Sequence, residues 1–232
     1  MRRLPGLLLA ATAAAASALA LTAGPALAAP PPAAPVVDVL TFGAVGPGGP
    51  NVPVGHVLTS SLPAGANATF LTGGGIGTTC TASTIKATVL ANPPAAGVAT
   101  TRIIAQTFGA CTSTIPGVTA VSVMVNNLPY MMQFSDSPGF PVKIFPAGPP
   151  VQTTITETIG GAPVACVWRP AAGAYNGNYF NGGNQLALKH QQMQLVGGPV
   201  GPCAGVVQFY SVLTYRPVVD SSVIGSPPVF VN

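Results

Sequence analysis

The sequence predicts an all-β protein, a disulfide-stabilised β-sandwich with room for two similar β units, folded outside the cell. Three observations predict it. Short runs of β-branched and aromatic residues alternate in period two, Gly/Pro clusters interrupt them, and four cysteines follow an N-terminal export signal.

The export signal comes first in the chain. Met1, Arg2 and Arg3 give a positive start, and Leu7-Leu8-Leu9 opens an Ala/Leu run that reaches Leu21. Ala26-Leu27-Ala28 then supplies the small side chains that signal peptidase needs, which places cleavage after Ala28 and makes residues 1–28 a signal peptide. Cutting one residue later would set Pro30 just past the scissile bond. An uncleaved anchor is the rival, because the apolar run approaches the roughly 20 residues that span a bilayer. Yet no stop-transfer charge follows: after Arg3 the next charged residue is Asp38 and the next basic one Lys86. Arg2-Arg3 also admits twin-arginine export, although the polar and aromatic residues usual around that pair are missing. Beyond the signal, the most apolar stretch, Val206 to Tyr215, is short and carries Gln208, Ser211 and Thr214, so the expected product is secreted and extracellular, without a membrane span.

Beyond residue 28 the charged residues are few and widely spaced: Lys86, Arg102, Lys143, Arg169, Lys189 and Arg216 against Asp38, Asp136, Glu157 and Asp220. Nucleic-acid binding needs clustered cations to neutralise several phosphates, so that class is excluded. Low charge with 28 Gly and 26 Pro would fit disorder, but 48% of the chain is apolar, which disordered segments are not.

In an oxidising compartment four cysteines default to two disulfides. Of the three connectivities the preferred one joins Cys80 to Cys111 and Cys166 to Cys203. Zinc is disfavoured, since no two cysteines are spaced as CxxC and His56 and His190 stand alone. No metal or cofactor is expected.

After a Pro-rich segment at 29–35, the strands fall into a first unit at 36–145 holding Cys80 and Cys111, and a second at 146–232 holding Cys166 and Cys203. Alternation is clearest in Thr84 to Val89, Val121 to Asn126 and Thr153 to Ile159, where Thr154, Thr156 and Thr158 share one side. Further strands are expected at Val36 to Phe42, His56 to Leu62, Ala99 to Phe108, Val142 to Phe145, Val164 to Trp168 and Val206 to Tyr215. Asn184 to Leu195 has helix-compatible composition, but its Gly-rich flanks favour a strand. Clusters such as Gly46 to Pro50 and Pro146 to Pro150 separate these runs. The stretches leading into Cys80 and Cys166 align with gaps, as do those around Cys111 and Cys203, which raises an internal duplication dividing near Phe145.

The signal, Gly-x-x-Cys ahead of Cys80, the Phe-Gly-Ala-Cys return at 108–111, Val-Asn-Asn-Leu-Pro-Tyr at 125–130 and the Val-Phe-Val-Asn end resemble uncharacterised secreted proteins of high-GC Gram-positive bacteria. The resemblance implies an extracellular β protein with two disulfides and carries no activity.

Candidate chemistry is thin. A nucleophile elbow Gly-x-Ser-x-Gly is missing. A Ser-His-acid triad would have to assemble in space from His56 or His190 with Asp38, Asp136 or Asp220. Glycoside hydrolysis would use two of only four acids. Asp136, in Ser-Asp-Ser-Pro-Gly, reads as a turn former bonding nearby backbone N–H groups. Glu157 falls on the apolar side of its strand and calls for a partner, Arg169 or Lys189. The loop reading of 174–184 offers a ligand contact through Tyr175, Asn178 and Tyr179, against the alternative that its aromatics pin the loop to the core. Tyr130 to Phe134 is either an adhesive patch or interior packing.

The expected function is therefore non-catalytic: an envelope-associated, binding or structural protein whose partner is cell-wall or other neutral polysaccharide, or a protein. A secreted hydrolase of unrecognised type and an extracellular inhibitor are the alternatives.

Overall fold

The structure is a computed structural model that describes residues 36–43, 46–199, 203 and 209–232, with Phe209 and Tyr210 as backbone only. The signal at 1–28, the Pro-rich segment 29–35 and residues 206–208 of one expected strand lie outside the described residues.

Among the described residues the regular structure is β apart from one 3-10 turn at Asn181–Gly183 and helical backbone at Cys203. The strands are β1 (Leu40–Phe42), β2 (Val57–Ser61), β3 (Ala68–Thr72), β4 (Gly77–Ala91), β5 (Val98–Ser113), β6 (Val118–Asn126), β7 (Tyr130–Ser135), β8 (Pro141–Pro146), β9 (Gln152–Ile159), β10 (Ala162–Pro170), β11 (Tyr175–Phe180), β12 (Gln185–Gly197), β13 (Phe209–Tyr215), β14 (Val219–Asp220) and β15 (Val229–Val231). Period-two chemistry sets their faces. On β4, Ile85, Ala87 and Val89 are buried while Lys86 is exposed; on β9, Thr153, Ile155 and Glu157 point in and Thr154, Thr156 and Thr158 out. The ambiguous segment after Asn184 is strand β12, bulged between Leu188 and Gln191, where His190 takes φ 53°.

Eight strands close into a ring, each antiparallel to the next: β11, β8, β7, β5, β4, β3, β13 and β12, with β12 returning to β11. The expected sandwich is thus replaced by a closed barrel, and β11 is the reason. The Gly/Asn-rich stretch read as a loop is an extended strand that pairs on both edges, Tyr175 opposite Ile144 and Tyr179 opposite Leu186. Closure needs a residue without a side chain at Gly177, where a Cβ would lie 2.2 Å from the Ala187 carbonyl oxygen and 2.7 Å from Leu188.

Other strands extend this ring. The distal half of β12 pairs with β10, which leads to β9 and then β6. β2 pairs with β4 and β14, and β1 with β15 forms a separate ribbon. Strands from either side of residue 145 pair directly at β3–β13, β6–β9 and β8–β11, so the ring draws on both expected units.

Side chains fill the interior, as an eight-stranded barrel allows. Phe134 meets Tyr179 edge to face with ring centres 5.8 Å apart, and Phe70 meets Phe108 at 5.4 Å. Between Leu58, Ile85, Met132, Phe134, Leu186 and Val218 only about 10 Å³ remains, no more than one water needs. Inside the ring the Tyr215 hydroxyl pairs with Ser83 Oγ and accepts from Gln106 Nε2, each at 2.9 Å. Both expected disulfides form, Cys80–Cys111 between paired positions of β4 and β5, and Cys166–Cys203 from the inward face of β10.

Candidate functional site

Of the residues singled out for ligand contact, the two tyrosines turn inward. Tyr175 and Tyr179 occupy alternate positions of β11 and are 7% and 1% exposed, so their rings pin this segment to the core and offer no stacking face. The Tyr179 hydroxyl donates to the Val229 carbonyl, tying the ring to β15. Asn178 faces out and spends its amide on the Gly139 carbonyl at 2.9 Å. Alternation of Tyr175, Gly177 and Tyr179 with Asn176, Asn178 and Phe180 is the signal that identifies this strand, and the glycine conceals it. Tyr130, Met132 and Phe134 are likewise buried on one face of β7.

Glu157 is 5% exposed, and neither Arg169 nor Lys189 reaches it. Its carboxylate accepts from Thr78 Oγ1 at 3.4 Å and Ser113 Oγ at 3.2 Å, across the β4–β5 pair. Strand parity explains the failed expectation. Glu157 pairs with Val164, and Arg169 lies an odd number of residues further along β10, on the opposite face. Asp136 does cap a backbone N–H, but that of Ala96 at 2.6 Å rather than one in its own turn.

One catalytic-looking pair does assemble. His56, just before β2, donates from Nδ1 to Asp220 Oδ2 at 2.7 Å, and Asp220 is fully buried at the end of β14. A sequence separation of 164 positions hides this pair from the sequence. The neighbouring serines are bonded elsewhere: Ser222 Oγ accepts from Val57 N at 2.8 Å, and Ser221 Oγ donates to the Val57 carbonyl at 2.8 Å. Asp220 Oδ1 also accepts from Ser222 N at 3.0 Å. The arrangement latches the C-terminal segment to β2. Replacing His56 by Ala leaves the buried Asp220 side chain without the imidazole that bonds it, and urea unfolding is expected to show a loss of about 3 kcal/mol. An unchanged midpoint would dismiss the latch. His190, by contrast, is exposed on its bulge. Among the described residues no cluster of metal-ligating side chains occurs.

Two surface features remain. The first is an uncharged block on the outward face of β6, β9 and β10, ending at Val167, one outward position before Arg169. Ala120, Ser122 and Met124 lie opposite Thr158, Thr156 and Thr154, which lie opposite Pro163, Ala165 and Val167. Cross-strand partners share a face, so these nine side chains form a three-by-three block of hydroxyl and apolar groups. Its inner side carries Val123, Ile155, Cys166 and Trp168, all buried. The second is a cleft of about 420 Å³ at the end of the β10 row, walled by Pro146, Pro150, Val151, Ala171 and Ala172, with Arg169 as the one charged lining residue. No helix of the described residues is long and apolar enough to cross a membrane.

Comparison with protein-family profiles, characterised proteins and solved structures finds no match to the chain.

Proposed function

We propose that this is an exported, non-catalytic binding protein of the cell envelope that holds a neutral polysaccharide against the outward face of β6, β9 and β10. Export rests on the signal at residues 1–28 with cleavage after Ala28, and on two disulfides that suit an oxidising compartment.

The observation that carries the reading is the uncharged three-by-three block. Four hydroxyls, on Ser122, Thr154, Thr156 and Thr158, repeat along the strands every two residues, about 7 Å. Methyl and methylene groups of Ala120, Met124, Pro163, Ala165 and Val167 lie between them. A neutral polymer matches such a surface because neither partner has a charge to desolvate. The sheet beneath is held rigid by its buried inner face and by Cys166–Cys203, so little ordering cost falls on binding.

The hydrolase alternative has one observation in its favour, the His56–Asp220 pair. The serines beside it bond to backbone groups and not to the imidazole, which favours a latch.

Sedimentation with insoluble peptidoglycan and with chitin tests the proposal. Wild-type protein is expected in the pellet with at least one of the two. Thr156→Lys, which sets an ammonium at the centre of the block, is expected to lower retention about tenfold, and Ala91→Lys on β4 to leave it unchanged. Failure of the wild type to sediment, or equal retention of Thr156→Lys, would refute the proposal.

A further inference from the structure

We infer that the cleft beside Arg169 is a second binding site, one that takes a small carboxylate with an apolar body, its two oxygens held by the Arg169 guanidinium. The cleft's volume of about 420 Å³ lies within the roughly 300–1,000 Å³ of small-molecule sites. Apart from Arg169 its lining is Pro146, Gly148, Pro150, Val151, Ala171, Ala172 and Gly173, which supplies an apolar wall and a single positive charge. The prolines fix the backbone of the 146–150 wall, so the site is shaped before a ligand arrives.

Arg169 is poised for this. It faces outward on β10, opposite Gln194 of β12, and donates from Nη2 to Gln194 Oε1 at 3.5 Å. A guanidinium has five N–H donors, so that one long contact orients the group and leaves donors for a ligand. Among the described residues no carboxylate pairs with it. A planar fork over an apolar wall matches the two oxygens of a carboxylate, and one cation balances one negative charge. A phosphate dianion would find its second charge unmatched, and a neutral amide would leave the fork half used.

The test is an NMR titration of the folded, disulfide-bonded protein with hexanoate and with hexanamide, its neutral isostere. Hexanoate is expected to shift the Arg169 side-chain resonance and the Ala171 to Gly173 amides with millimolar affinity, and hexanamide to bind at least about tenfold more weakly. Arg169→Gln, a change at a partly exposed position, should abolish the preference for the acid. Arg169→Lys, which keeps the charge but not the fork, should fall between. Equal binding of acid and amide, an unchanged preference in Arg169→Gln, or no shift at about 50 mM hexanoate would each overturn the inference. No polysaccharide enters this experiment, so its outcome is independent of the neutral face.

Discussion

Removing both disulfides is expected to unfold the protein without denaturant. Cys80–Cys111 closes 31 residues and Cys166–Cys203 closes 37. On the chain-entropy model each loop restricts the unfolded state by about 3.5 to 4 kcal/mol. The two loops do not overlap in sequence, so their effects add to about 7 kcal/mol, against a typical domain stability of roughly 5 to 15 kcal/mol. The paired cysteines are also buried on the inner face, Cys80, Cys166 and Cys203 each at 5% exposure or less, so alanine leaves cavities besides. Urea unfolding of Cys80→Ala/Cys111→Ala and of Cys166→Ala/Cys203→Ala should each show a loss of about 3 to 4 kcal/mol. The quadruple alanine variant should lack a cooperative transition. A quadruple variant with a native-like midpoint would mean that the β ring holds itself together and that the bridges are incidental.

How much of this was legible in the sequence depends on whether the relevant physics is local. Strands β4, β6 and β9 announce themselves because one face meets the core and the other water, which writes period two into the residues. The preferred cysteine pairing is legible too, from order along the chain and export. β11 is not, because Gly177 and its flanking asparagines carry the composition of a loop; the glycine is required by the backbone of β12, a contact the sequence does not encode locally. Sandwich and barrel differ by that one strand, which pairs with β8 on one edge and β12 on the other. Glu157 was recognisable as a buried acid, but its partners Thr78 and Ser113 come from strands nearly 80 and 44 residues away in sequence. In the sequence His56 and Asp220 stand apart as separate candidates for a triad, and only the fold joins them. The nine-residue neutral face illustrates the same limit. Its three threonines on β9 are visible in sequence, whereas the partners that make them a surface depend on register with β6 and β10.

Raising the pH is expected to unfold the protein cooperatively above about pH 10, with tyrosine ionisation and loss of β structure in one transition. The chain has five tyrosines, and Tyr130, Tyr175, Tyr179 and Tyr215 are buried. Burial pushes the Tyr215 phenol up to about 12, with the hydrogen bonds to Ser83 and Gln106 opposing the rise. Tyr175 and Tyr179 are pushed up further by burial, against hydrogen bonds to Thr153 and Ser211 in the first and to Asn184 in the second. Tyr130 is raised as well, with the Gln152 backbone N–H opposing. Each phenol ionises near pH 10 in the unfolded chain and only at higher pH in the fold. Their contribution is therefore complete below about pH 10 and is lost as pH climbs through the folded values. For Tyr215 alone, a rise from 10.0 to about 12 corresponds to about 3 kcal/mol. The other three add to it, so unfolding is expected before the folded phenols titrate. Tyrosinate absorbance and far-ultraviolet circular dichroism, followed together through the alkaline range, should change at one midpoint. Phenols that titrate near pH 10 while the β signal persists would place these rings in water and contradict the packing of the barrel interior.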